Sequence, residues 1–280
     1  MRRPLAIALL AVLAACSRAR RADPAPPAAS GSASIASASL PASGPIAPGL
    51  RIETAGTVTL ARIDPARYGL RLLNAAKEGR ARKAPDWAKE FGLVAVVNAS
   101  MYEPSGLSVG LMINGAHTNQ THDLPKMGGY FAFDPTRPGL PDVAAIGKDC
   151  PGFDLARLRA DYRVVFQNYR LLDCDGHALP WKESKLFSAA AIGLGKDGHV
   201  VFAHSRAPYV MTDFAKILAA PELELAQMFY VEGGPEASLY VHAGDVTFRG
   251  IGSFETGFFR DDSNQDFWEL PNVVGAFQRD

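Results

Sequence analysis

The chain has 280 residues, 48% of them hydrophobic, and its 29 basic side chains are matched by 29 acidic ones, so the formal net charge is zero. Such a balance gives no electrostatic footprint for nucleic acid or for an anionic membrane surface, and no nucleic-acid partner is expected. The length allows one domain with a full core once the terminal segments are set aside.

Residues 1–16 open with Arg2 and Arg3, continue as an apolar run and end Leu13-Ala14-Ala15-Cys16. A basic start, a short apolar stretch and small residues before a break are the parts of an export signal, too short to span a bilayer as a mature helix. The alternative is a buried N-terminal helix. The ending resembles a bacterial lipobox, in which Cys16 becomes the first mature residue and carries the lipid. Ser17 stands where lipoproteins kept at the inner membrane usually have Asp. The expected location is therefore the cell envelope, lipid-anchored at the periplasmic face of the outer membrane. Residues 17–49 are almost wholly Ala, Pro, Ser and Gly, with too little apolar side chain to offset ordering entropy, and read as a linker.

With Cys16 assigned to lipid, Cys150 and Cys174 remain as an even pair in an oxidising compartment. A disulfide between them closes a loop of about 25 residues, for which chain entropy gives roughly 3 kcal/mol. Two free buried thiols are the other reading.

Within 50–280 the pattern predicts an α+β domain with an extensive mixed or antiparallel sheet and a few packed helices. Leu50–Ile63 alternates as a hairpin, and Tyr68–Asn74 reads as a strand. Ala84–Phe91, opened by Pro85-Asp86, is a short amphipathic helix with Trp87 and Phe91 on its inner face. Leu93–Val97 is a buried strand ending at Asn98, and Val109–Ile113 leads to a turn at Asn114-Gly115. Met127–Phe133 begins at Gly128-Gly129, and Val164–Phe166 ends at Gln167-Asn168. Ala189–Leu194 and His199–Ala203 form a hairpin about Lys196-Asp197-Gly198. The helix from Thr212 to Leu218 is capped by Thr212 or Asp213.

The most informative stretch follows. Met228–Val231 is a buried strand that stops at Glu232-Gly233-Gly234-Pro235, and Leu239–Val241 restarts as a strand. An acid at a strand end, followed by two glycines and a proline, lets the backbone turn sharply and approach a ligand. A tight turn with an incidental Glu fits the spacing equally. Four strands thus deliver polar or glycine-rich ends, at Asn98, Gly129, Gln167 and Glu232, and only the topology decides whether they converge.

Other signals are weaker. Gly106-Leu107-Ser108-Val109-Gly110 matches G-x-S-x-G, yet a strand follows the Ser where a nucleophile elbow needs a helix. His117, His122 and Asp123 share a polar loop that reads as solvated. No metal and no cofactor is expected. His204 beside Arg206 at a strand end is a candidate anion contact, with a plain surface loop as the alternative.

In order and spacing the chain resembles the phosphodiester glycosidase family over Val94–Val241, with Pro271–Gly275 also fitting. Val97-Asn98-Ala99-Ser100-Met101-Tyr102 resembles the family's Asn-containing strand end. Gly129-Tyr130-Phe131, Phe166-Gln167-Asn168, Ala191-Ile192-Gly193 and Tyr230-Val231-Glu232-Gly233-Gly234-Pro235 follow in family order, with Ser238 near the family's serines. Glu232 stands where the family has Asp, and Ala189 where it has Arg.

The resemblance implies a hydrolase cleaving a sugar 1-phosphodiester, acting on a small-molecule or glycan substrate. Glu232 then supplies the carboxylate, with Asn98 and Gln167 as catalytic partners. Gly233, Gly234, Ser238, Gly129, Arg206, Arg170 and His204 are the candidate substrate contacts. Loss of the Arg points to the alternative, an inactive glycan- or sugar-phosphate-binding lipoprotein.

Overall fold

The computed structural model describes residues 43–280, so the segment read as a lipobox and the segment read as a linker, through residue 42, lie outside the described residues. Sixteen strands and four helices follow in chain order. They are β1 Gly44–Ala47, β2 Leu50–Ala55, β3 Val58–Ile63, β4 Tyr68–Asn74, α1 Ala75–Glu78, α2 Ala84–Phe91 and β5 Ala95–Asn98. Next come β6 Met112–Asn114, β7 His117–Gln120, β8 Gly129–Pro135, β9 Val143–Gly147, α3 Leu155–Asp161 and β10 Tyr162–Arg170. The chain ends with β11 Phe187–Gly195, β12 Val200–Tyr209, α4 Met211–Leu218, β13 Leu225–Gly233, β14 Ser238–Ala243, β15 Val246–Ile251 and β16 Asn272–Gln278.

Two sheets stack face to face. The larger, with eleven strands, runs β1-β2-β3-β12-β11-β13-β10, and β10 also carries β6 with β7 and β8 with β9. The smaller has the order β15-β14-β5-β16-β4. Neighbouring strands in both pair antiparallel, as in β11 with β12 and β16 with β4. The strand β1 lies inside the stretch read as linker. Its backbone pairs with β2, so the folded region begins before Leu50.

The main core lies between the sheets. Ile52, Phe131, Phe166, Ile192, Phe202 and Phe229 of the larger sheet meet Val97, Leu239, Val241 and Val274 of the smaller. The outer faces are covered by helices. Over the larger sheet sits α4, through Met211, Phe214 and Leu218. The smaller sheet is covered by α2, through Trp87 and Ala88. Four layers result, which explains why β5 and β13 are apolar on both faces.

Local chemistry accounts for the elements. Pro85 begins α2 where no backbone donor is needed, and Gly92 ends it in the left-handed region. Trp87 is fully buried, donates from its indole nitrogen to the Leu270 carbonyl at 3.0 Å, and has Arg82 over its ring at 4.5 Å. Neither Thr212 nor Asp213 caps α4. The cap position is Val210, the Thr212 hydroxyl bonds the backbone of Trp181, and Asp213 pairs with Lys216.

Cys150 and Cys174 are joined, with Cα atoms 5.4 Å apart, tying the loop after β9 to the loop after β10. Replacing both with serine should lower the unfolding free energy by about 3 kcal/mol, read as an earlier urea midpoint with a steeper slope, because the freed unfolded chain exposes more surface. An unchanged midpoint would show that the bridge constrains nothing in the unfolded chain.

Candidate functional site

The site is built where β13 leaves the larger sheet. Ala190 pairs with Glu232 and Ala191 with Tyr230, so Val231 is an extra residue and the strand is bulged just before the acid. Gly233 pairs with Ala189 and β13 ends there; Gly234–Glu236 is a single tight turn before β14 enters the smaller sheet. This turn therefore bridges the two sheets.

A buried amide holds it. Asn98, at the end of β5, donates from its side chain to the Glu236 carbonyl at 3.0 Å and accepts from the Ser238 backbone at 2.8 Å. Gly234 adopts φ 65°, and a Cβ there would lie 2.7 Å from Glu255 Oε2 and 3.4 Å from Glu236 Oε2. Two carboxyl groups thus converge on the bare face of Gly234. A Cβ on Gly233 would collide with the Tyr230 hydroxyl and stand 3.3 Å from the Phe187 side chain. Close approach favours glycine at both positions, and at Gly234 the positive φ of the turn favours it as well.

Glu255 arrives from a segment after β15. Its backbone bridges to Phe187 and to Phe259, and Thr256 donates to the Leu186 carbonyl at 3.0 Å. Glu232 accepts from the Gly233 backbone at 3.0 Å.

Burial shapes the electrostatics. It is the main reason the Glu232 carboxyl is held well above the ordinary carboxylate range, with the charges of Glu236 and Glu255 adding to it and the Gly233 N–H opposing it. Glu236 is raised by burial and by Glu255. Glu255 is raised by burial against the lowering effect of Lys185. Burial, with the charges of Glu232 and Glu236, also raises the phenols of Tyr102 and Tyr230, and Glu255 adds to the second. The cleft therefore favours protonated carboxyls and neutral phenols, a set of hydrogen-bond donors where ionised acids would otherwise repel an anion.

The residues singled out from sequence are divided by the fold. Asn98, Glu232, Gly233, Gly234 and Ser238 come together, although Ser238 turns its hydroxyl to the Glu236 carbonyl. Asn168 joins them by donating to the Ala99 carbonyl at 2.9 Å. Gln167 lies elsewhere, its amide donating to Asp123 at 2.7 Å and Leu124 at 2.8 Å and accepting from the Leu124 backbone at 2.9 Å. Gly129 receives the Phe229 ring in the core. His204 is buried beside Gly250, and burial with the Arg206 charge lowers its pKa to about 4, so it stays neutral at physiological pH. Arg206 is committed to the carbonyls of Ile251 and Asp262 and to the Asp262 carboxylate at 3.0 Å. Arg170 lies against the Cys150–Cys174 bridge, 3.7 Å from Asp149.

Glu236 and Glu255 escaped the sequence reading, and Tyr102 and Tyr230 stand in its motifs without a role of their own. Glu236 was one turn from Glu232 and could have been paired with it. Glu255 lies in a polar loop with no periodicity to mark it. Among the described residues, the group able to converge on a cation is Asp173, Asp175 and His177, whose ligand atoms lie within 4.8 Å of one another. It sits beside Cys174, and the loop residues His117, His122 and Asp123 are not gathered in this way. A cavity of about 680 Å³, lined by Tyr68, Arg71, Phe133, Val164 and Phe277, follows the outer edge of β4 and touches none of the carboxyls above.

The profile of a family described as phosphodiester glycosidase (NAGPA) matches residues 91–277. No curated protein sequence matches the chain. The catalytic domain of zebrafish N-acetylglucosamine-1-phosphodiester alpha-N-acetylglucosaminidase, auto-inhibited by its pro-peptide, superposes with TM-score 0.53 at 12% identity, covering 82% of this chain and 78% of that one. A hypothetical protein from Synechocystis superposes with TM-score 0.52 at 13% identity, covering 83% of this chain and 62% of that one. At such identities the likeness is one of fold.

A carboxyl whose pKa is raised by folding gives stability that is full below its unfolded value and is lost as pH rises through its folded value. Glutamine mimics the protonated form at every pH. Glu232→Gln should therefore melt higher than the parent at pH 8, and the two melting temperatures should converge below about pH 4, the ordinary carboxyl range. A gap independent of pH would remove burial of the charge as its cause.

Proposed function

The chain belongs to the phosphodiester glycosidase family, and from that premise we propose that it hydrolyses a sugar 1-phosphodiester at the anomeric carbon. Water adds to that carbon, the bond from it to the phosphate oxygen breaks, and the products are the free sugar and a phosphomonoester. The leaving phosphomonoester is already a stabilised anion and needs little protonation. The chemistry then asks for a carboxylate facing the developing oxocarbenium ion and for donors to the phosphate. The observation that carries this reading is the convergence of Glu236 and Glu255 on Gly234, beside Glu232.

Glu232 takes the first role from its ionised form, a minor form of a carboxyl raised this far, and in that form stabilises positive charge or draws a proton from water. Glu236 and Glu255, whose carboxyls burial raises above the ordinary range, donate in their protonated forms to phosphate oxygens where the resemblance places an arginine. Ala189 pairs directly with Gly233, so that arginine would have reached this turn. A second reading has a specific basis in the same place. With Ala189 opposite the turn and Arg206 and Arg170 engaged elsewhere, the domain would bind a glycan or sugar phosphate without turnover.

Two variants separate these roles. Glu232→Gln should reduce turnover of N-acetylglucosamine 1-(methyl phosphate) by at least about a hundredfold, the order seen when a preorganised electrostatic contact is removed. Glu255→Gln should retain most activity and lose the decline that the parent shows as pH rises, since Gln keeps a donor but no longer titrates. Full activity in Glu232→Gln would strike it from the mechanism. Binding of sugar phosphates with no turnover by the parent would favour the second reading.

The envelope location rests on sequence alone. Cys16 is the proposed lipid attachment site, and Cys16→Ser should leave an unlipidated precursor that high-salt washing releases from the membrane fraction. Retention at the parental level would reveal another anchor.

A further inference from the structure

The Cys150–Cys174 bridge lies against a cation. Arg170 ends β10, and its guanidinium turns across the end of β9. The bare backbone of Gly147 admits it there. A Cβ on Gly147 would collide with the guanidinium, and one on Gly128 would stand 3.4 Å from Arg170 Cδ. From this position Nη2 reaches both sulfurs, 3.4 Å from Cys150 Sγ and 3.5 Å from Cys174 Sγ.

Little in the chain offsets this charge. The Arg170 side chain is 8% exposed, and its Nε is buried without a hydrogen-bond partner among the described residues. The carboxylate that approaches it, Asp149 at 3.7 Å from Nη1, is itself 73% exposed. A buried cation is costly without a counter-charge, and the sulfurs of a disulfide are neutral, weak acceptors. Reduction changes that, because a thiolate at either sulfur is an anion within reach of Nη2. The two sulfurs also differ in access, since Cys174 is exposed and Cys150 half-buried.

We propose that Cys150–Cys174 is an exchange-active disulfide, reduced by a dithiol through attack at Cys174, with Cys150 leaving as a thiolate held by Arg170. One thiolate of the dithiol bonds to Cys174 Sγ, the bond between the two cysteines breaks, and its electron pair leaves on Cys150 Sγ. The second thiolate of the reductant then attacks its partner sulfur in the mixed disulfide and releases Cys174. Two electrons pass to the bridge, and the dithiol becomes a disulfide. Of the two protons that the dithiol gives up, one passes to Cys174 and the other to solvent, because Cys150 stays ionised beside Arg170. Asp173 and Asp175 flank Cys174, which disfavours a reductant carrying negative charge of its own. A bridge that served loop closure alone would be indifferent to the guanidinium, so the charges around it separate the two roles.

Equilibration of the folded full chain with dithiothreitol, a neutral dithiol, tests this when the state of Cys150 and Cys174 is scored by alkylation and mass spectrometry. The parent bridge should open in native buffer. Arg170→Met should lower the equilibrium constant for reduction at least about tenfold, or roughly 30 mV, the scale of one lost charge-assisted hydrogen bond. Asp149→Asn, at an exposed position, should raise the constant about two- to fivefold, as expected for loss of an exposed carboxylate beside the forming thiolate. Limiting 2-mercaptoethanol should be trapped on Cys174 with Cys150 alkylated. A bridge that opens only in denaturant, or a monothiol trapped on Cys150, would overturn the proposal. So would an unchanged constant in Arg170→Met or, should that variant not fold, in Asp149→Asn. Nothing in this chemistry draws on the carboxyl cleft, and absent turnover of sugar phosphodiesters would leave it standing.

Discussion

One buried side-chain amide carries the geometry of the site. Asn98 ends a strand of the smaller sheet, and its two polar ends grip the Glu236 carbonyl and the Ser238 backbone. The turn between β13 and β14 must cross from one sheet to the other, which leaves its peptide groups without ladder partners. A buried amide with donor and acceptor in fixed relation satisfies one of each. Removing it would leave the Ser238 N–H unpaired and the Glu236 carbonyl with the Ser238 hydroxyl alone, in a region that excludes water. The position of Gly234, and with it the point on which two carboxyls converge, follows from that clamp.

Burial then determines the protonation of the cleft. Glu232, Glu236 and Glu255 lie close enough to influence one another, and each is raised mainly by loss of water. Removing a carboxylate from water without a cation is expensive, and a nearby second carboxylate makes it more so. The cheaper state keeps protons on the group, and a protonated carboxyl is a donor. A cleft without an arginine can in this way still present hydrogen-bond donors to an anion. His204 and Arg206, neighbours on β12, do not compensate, since one is buried and neutral and the other is already satisfied.

The two-sheet architecture explains why so many polar residues marked by the sequence serve the scaffold. Gln167 closes the apolar run inside β10 as Asn98 closes that of β5, yet its amide organises the loop before β8. Asn74 and Asn272 pair with each other at 2.8 Å inside the smaller sheet. A buried strand end must satisfy its backbone and that of its neighbours, and amides are suited to it because they both donate and accept. The sequence signature of an apolar run ending in Asn or Gln is therefore common to site and scaffold.

The sequence by itself determined much of the fold. The β2–β3 and β11–β12 hairpins, β4, the extents of α2 and α4, the strand before Glu232 and the Cys150–Cys174 pair were readable because hydrophobic period, Gly-containing turns and cysteine parity are local or nearly local signals. Glu232, Gly233 and Gly234 were readable because an acid and paired glycines interrupt an apolar run. Tertiary structure alone decided which polar strand ends meet, that Ala189 sits across from Gly233, and that Glu255 reaches the same turn from a loop after β15. It also decided that Arg170 and Arg206 are occupied elsewhere. These are consequences of long-range antiparallel pairing and of burial, and neither the partner of a strand nor the water around a carboxyl is written in the residues beside it.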